Sequence, residues 1–122
     1  MRMLLGAYLV ALVVACAMAK SADPQAMKAP RYLQAIVYRQ FRPAGSWAIR
    51  RANCIVQRES QWNPRAISRT DDWGLWQLHR PIWSRVYDWS RILNPSYNTW
   101  AAWQISRHGR DFGAWNNGAY AC

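Results

Sequence analysis

The chain has 122 residues, enough for one domain and with little room for a second core, so one functional site is the expectation. Sixteen Lys and Arg against six Asp and Glu give a formal charge of +10, which points to an anionic partner: nucleic acid, a membrane surface or an acidic cell-wall polymer. Nine tryptophans serve equally well as core filling, base-stacking platforms or sugar-stacking faces, so composition does not choose among these partners.

Residues 1–19, MRMLLGAYLVALVVACAMA, combine a basic Arg2 with an apolar run and the small pair Ala17 and Ala19. This pattern predicts an export signal cleaved after Ala19. The run is near the lower length of a membrane span, so a retained anchor is a second reading, and VVAC ending at Cys16 loosely matches a bacterial lipobox, which is a third. Each reading places the folded part outside the cytoplasm: secreted, periplasmic or wall-associated after cleavage, or held by a membrane or lipid anchor. Residues 20–30 are polar with two prolines and predict a flexible lead-in, leaving residues 31–122 as the folded domain. Cleavage at Ala19 would leave Cys54 and Cys122 in an oxidising compartment, where two cysteines are expected to pair; two free buried thiols are the alternative. A bridge closing so long a loop would stabilise the chain by roughly 4 kcal/mol in the chain-entropy model.

Residues 31–41 place Leu33, Ile36, Val37 and Phe41 at helical spacing, and Pro43 with Gly45 stop that helix. Ser46 reads as the N-cap of a second helix over residues 47–59, with Ala48, Ala52, Ile55 and Val56 on one face. Residues 60–72 lose helical period and gain turn residues, which predicts a loop or a small irregular hairpin. After the short GLWQL segment, Pro81 is expected to open a helix in its first turn. Asn94 and Pro95 repeat that start signal before a helix of about four turns ended by Gly109. Asp111 is expected to cap a last short helix near residues 112–115. Four or five helices with one non-helical excursion make the domain mainly α.

Glu59 is the only glutamate in the chain, and it lies four residues after Ile55 and three after Val56, on the apolar face of the second helix. Cleaving a glycosidic bond needs an acid for the leaving oxygen and a second carboxyl at the oxocarbenium centre. The acid must keep its proton near neutral pH, which burial against apolar surface favours. Glu59, backed by Ile55 and Val56 and followed by Trp62, fits the first role; Asp71 and Asp72, beside Thr70 in a polar turn, fit the second. The structural alternatives are an ion pair between Glu59 and a neighbouring arginine, and a TDDWG turn held by its own aspartates.

The stretch ESQWNPRAISRTDDWGLWQL, residues 59–78, resembles the catalytic segment of the lysozyme-like superfamily in two ways. It is similar to the ES-x-x-NP-x-A-x-S and GL-x-Q signature of soluble lytic transglycosylases at Glu59, Ser60, Asn63, Pro64, Ala66, Ser68, Gly74, Leu75 and Gln77. Thr70, Asp72, Trp73, Gly74 and Gln77 resemble the segment that carries the second carboxylate of c-type lysozymes. NPSYNTW and AWNNG, residues 94–100 and 114–118, look like the transglycosylases' NP-x-x-N helix start and AYNAG motif, with Trp115 for tyrosine.

The resemblance implies an α+β lysozyme-like fold, a small helical domain in which a short loop or trimmed β-hairpin forms one side of a cleft. The shorter interval between Glu59 and Asp72 is what implies the trimming. It implies peptidoglycan glycan strands as substrate, Glu59 as general acid and Asp72 as nucleophile or stabiliser. Ser60, Trp62, Gln77, Trp115 and Asn116 would contact the sugar, and Cys54 would bridge to Cys122 as in the c-type enzymes. Hydrolysis and transglycosylation share Glu59; an aspartate at position 72 favours hydrolysis, while the gap-free match to the transglycosylase signature favours the other outcome.

Trp62, Trp73, Trp76 and Trp115 flank the expected site and would either stack on sugar or fill the core. His79 and His108 match no metal-ligand spacing and read as ordinary residues, so neither metal nor cofactor is expected. Export argues against a specific nucleic-acid partner, and a monomer is expected. A non-catalytic cationic wall-binding or membrane-active protein is the competing class of function.

Overall fold

A computed structural model of the chain describes residues 29–115 and Cys122. The apolar run of residues 1–19, most of the 20–30 lead-in and Asn116 lie outside the described residues.

Helix α1 (Arg31–Phe41) buries Leu33, Val37 and Phe41, spaced by four so that they stack along one face. A 3₁₀ turn (Arg42–Ala44) carrying Pro43 leads to Gly45, whose φ of 90° turns the chain into helix α2 (Ser46–Ser60). The cap position is Gly45 and no side chain closes it, so Ser46 is the first helical residue instead of the expected N-cap. Helix α2 buries Ala48, Ala52, Ile55 and Val56, as its apolar stripe dictates. It ends where Gln61 and Trp62 adopt left-handed φ values of 50° and 61°.

The excursion that follows is a hairpin of minimal size. Strands β1 (Asp72–Trp73) and β2 (Leu78–His79) pair antiparallel with Asp72 opposite His79 and Trp73 opposite Leu78. Ile67 bridges to Trp73, and Gly74 N–H donates to Ala66 O at 2.7 Å, tying the preceding loop to the hairpin. Helix α3 (Arg80–Trp83) is a single turn with Pro81 in its first positions. After it the chain runs through turns to Asp88, which takes an extended conformation and accepts from the backbone and hydroxyl of Ser90, starting a separate 3₁₀ turn (Trp89–Arg91).

Helix α4 (Pro95–Ile105) starts as its sequence predicts, with Asn94 Oδ1 accepting from Tyr97 N–H at 3.0 Å. It stops before Gly109, since Ser106 Oγ accepts from Gly109 N–H while Arg107, His108 and Gly109 all take positive φ. Asp111 Oδ1 accepts from Gly113 N–H at 2.8 Å and so caps the closing 3₁₀ turn (Gly113–Trp115).

The domain is thus mainly α with one two-stranded sheet. Helix α1 packs against both α2 and α4, and Ala101 and Ala102 allow close approach of the last. Trp76 reaches into this core from the hairpin turn, fully buried, stacked at 5.1 Å on Phe41 and edge-on at 5.2 Å to Trp115. Asn98, also fully buried, clamps the hairpin onto α4: its Oδ1 accepts from Trp76 N–H at 2.8 Å, and its Nδ2 donates to Ile92 O and Trp73 O. Cys54 and Cys122 stand with Cα atoms 5.7 Å apart, a separation a disulfide spans. No helix among the described residues is long and apolar enough to cross a membrane.

Candidate active site

The end of α2, the hairpin, α3 and the closing turn surround a cleft of about 220 Å³. Glu59, Asp72, Gln77, His79, Trp83 and Trp115 line it. Four residues expected at the site from the sequence, Glu59, Asp72, Gln77 and Trp115, are therefore brought to one place.

Glu59 differs from its expected setting. Ile55 and Val56 beneath it are buried, yet the glutamate side chain is 28% exposed and pairs with Arg58, whose Nη2 lies 2.9 Å from Oε1. The same guanidinium donates to Trp115 O, so Arg58 ties the glutamate to the closing turn. The apolar face ends one turn below the carboxyl, which emerges into the cleft instead of resting in an apolar pocket.

Asp72 sits in a nest of donors. Its Oδ2 accepts from Ser68 Oγ at 2.9 Å and from Thr70 Oγ1, and its Oδ1 lies 2.9 Å from His79 Nδ1. Burial of the carboxyl is the largest single influence and pushes its pKa up, but the hydrogen bonds from Thr70, Ser68 and His79 together outweigh it. The net effect holds the Asp72 carboxyl below the usual aspartate value, so it is ionised at neutral pH. Asp71, the other carboxyl of the TDDWG turn, is spent elsewhere: it accepts from Trp73 Nε1 at 2.7 Å and from Arg80 Nε at 2.9 Å. The Trp73 hydrogen bond is the main cause of its lowered pKa, with Arg80 adding to it against a smaller effect of burial.

Gln77 takes a left-handed φ of 49° and spends its Nε2 on Ala66 O and Gly74 O, leaving its carbonyl Oε1 to meet a ligand. Trp115 is 6% exposed, and its indole N–H donates to Trp76 O at 2.9 Å. It closes the floor of the cleft more than it offers a face. Ser60 and Trp62 do not line the cleft. The left-handed turn at Gln61 and Trp62 carries them to a separate depression beside Tyr32 and Leu33, where Ser60 Oγ donates to Val56 O and Trp62 is buried. Trp76 is core, and Trp73 packs edge-on against Trp89 at 5.9 Å.

Leu78, His79, Trp83 and Ala114 also line the cleft without having been expected there from the sequence, and His79 and Trp83 are the two that bring a ring to it. His79 reaches the cleft because the hairpin register sets it opposite Asp72, and Trp83 follows one helical turn later on α3. A tight hairpin across residues 72–79 would have signalled His79, since an antiparallel pair brings its first and last residues together. Among the described residues no group of three or more His, Cys, Asp or Glu side chains is arranged to hold a metal ion.

An acidic side chain at the end of a helix, facing a cleft floored by tryptophan and shared with an ionised aspartate, suits cleavage of an acetal bond. Comparison with curated proteins and with solved structures gave no match. Residues 48–121 match the family described as Transglycosylase SLT domain, a span that covers more than half of the chain and includes Glu59, Asp72 and Gln77. The chain belongs to the transglycosylase SLT domain family, lysozyme-like enzymes that cleave peptidoglycan glycan strands.

Proposed function

We propose that the protein is a muramidase that hydrolyses the β-1,4 bond between N-acetylmuramic acid and N-acetylglucosamine, with Glu59 as general acid. The observation that carries this reading is that Glu59 and Asp72 share one cleft while Asp72 is held ionised by Ser68, Thr70 and His79. Protonated Glu59 gives its proton to the glycosidic oxygen as the bond to the anomeric carbon breaks. The negative charge of Asp72 then faces the cationic centre, as stabiliser or as nucleophile, until water completes the exchange. Gln77 Oε1 is placed to accept from a sugar hydroxyl or amide, and Trp83 supplies the aromatic wall.

The family match favours a second reading, in which the C6 hydroxyl of muramic acid attacks the same centre and leaves a 1,6-anhydro end. Glu59 is the acid in both. Asp72→Asn separates them: the hydrolytic reading expects a loss of turnover of about a hundredfold, and full activity in that variant would remove the case for hydrolysis. The proposal extends to export through residues 1–19, with cleavage after Ala19, action as a monomer at the cell wall, and a covalent Cys54 to Cys122 bridge. A strongly basic surface would concentrate the protein on a wall rich in carboxylates.

A further inference from the structure

Aromatic surface continues past the cleft. Trp83, in the cleft wall, has its ring 6.0 Å from Tyr87; Tyr87 meets Trp100 edge-on at 5.8 Å, and Trp100 lies 5.5 Å from Tyr97. The Arg91 guanidinium sits over the Tyr97 ring at 4.4 Å. These rings form an unbroken track from the cleft to a second open cavity of about 490 Å³, lined by Arg91, Asn94, Ser96, Tyr97 and Trp100.

Core packing does not account for Trp100. It is 40% exposed on a helix whose buried face is made by Asn98, Thr99, Ala101 and Ala102, whereas Trp76, the true core indole, is wholly buried. The polar groups around Trp100 suit a carbohydrate. Asn94 uses its Oδ1 to cap α4, which turns its amide N–H groups to other use, and Ser96 brings an exposed hydroxyl in the first turn. An exposed indole with a few donors and acceptors is the composition of a sugar-stacking site, and Arg91 adds a cation that a carboxylate can meet.

We propose that this cavity is a second glycan-binding site, which holds the same peptidoglycan strand beyond the sugars seated in the cleft and takes a muramyl carboxylate on Arg91. The inference rests on the reading of the cleft as a glycan-cleaving site. A polymer lying in the cleft must continue outside it, and the track from Trp83 through Tyr87 to Trp100 is aromatic surface leading away. Holding one strand at two places converts the second contact into an intramolecular one, so affinity should grow with strand length.

The test uses Glu59→Gln protein, which retains the strand, and uncrosslinked glycan strands of four to twelve sugars. Affinity is expected to rise about tenfold between the shortest and longest strands. Trp100→Ala and Arg91→Ala, each in that background, are expected to lose this gain, with circular dichroism confirming the fold; Tyr97 is spared because its hydroxyl accepts from Asp88 N–H. A length-dependent gain that survives in both variants overturns the second site and leaves the cleft reading intact. Failure of the Glu59→Gln protein to bind any strand, with wild-type protein leaving cell walls uncleaved, overturns both. Loss of binding to anionic lipid vesicles in these variants, with strand binding unaltered, assigns the surface to a membrane and also overturns the proposal.

Discussion

His79 Nδ1 lies 2.9 Å from Asp72 Oδ1, and the two residues are direct partners in the register of the β1–β2 hairpin. A charged carboxylate can only accept, so the shared proton rests on the imidazole nitrogen. The histidine therefore fixes the orientation of Asp72 from one side while Ser68 and Thr70 fix it from the other.

This arrangement predicts a pH dependence of stability. The Asp72 carboxyl is held below its ordinary value of 3.8, so its contribution is present above that value and is lost as pH falls through the lower, folded one. Urea midpoints of the wild type are expected to decline from about pH 4 downward. Asp72→Asn, which cannot titrate, is expected to decline less steeply over the same window, as followed by urea unfolding at each pH.

Glu59→Gln is expected to lower the rate of clearing of cell-wall suspensions by at least about a hundredfold, the usual contribution of a general acid. Stability should change little. The Glu59 and Arg58 pair is partly exposed, and such pairs contribute about 0 to 1 kcal/mol. Clearing at the parental rate would assign Glu59 to its ion pair alone.

Asn98→Leu is expected to cost about 3 kcal/mol, because Trp76 N–H, Ile92 O and Trp73 O all lose their partner inside the protein. Gly74→Ala should act on the same clamp. Gly74 has a φ of 78°, and a Cβ there would run into the Asn98 amide. Both variants are expected to lower the urea midpoint and, by loosening the hairpin that carries Asp72, the activity.

These residues also show how far the sequence could be read. The Asn94 and Pro95 helix start, the apolar stripes of α1 and α2 and the Asp111 cap are local patterns, and each forms as expected. Glu59, Asp72, Gln77 and Trp115 converge on one cleft as their motif implies. What was not legible depends on contacts distant in sequence or on single backbone angles. His79 enters the cleft only through hairpin register, and Trp62 leaves it only because Gln61 and Trp62 turn left-handed. The separate turn after Pro81's short helix depends on the Asp88 side chain accepting from Ser90, a local hydrogen bond that apolar periodicity does not report.

The proposed export predicts that Cys54 and Cys122 are covalently joined. Thiol titration under denaturing conditions should find neither free, and reduction is expected to lower stability by roughly 4 kcal/mol. Two reactive thiols in exported protein would contradict this.

Mass analysis of the sugar ends released from purified peptidoglycan tests the central claim most directly. Hydrolysis with Glu59 as acid and Asp72 as its partner predicts reducing muramic acid ends. Release of 1,6-anhydromuramic ends would contradict it and assign the transglycosylase reaction to the same cleft.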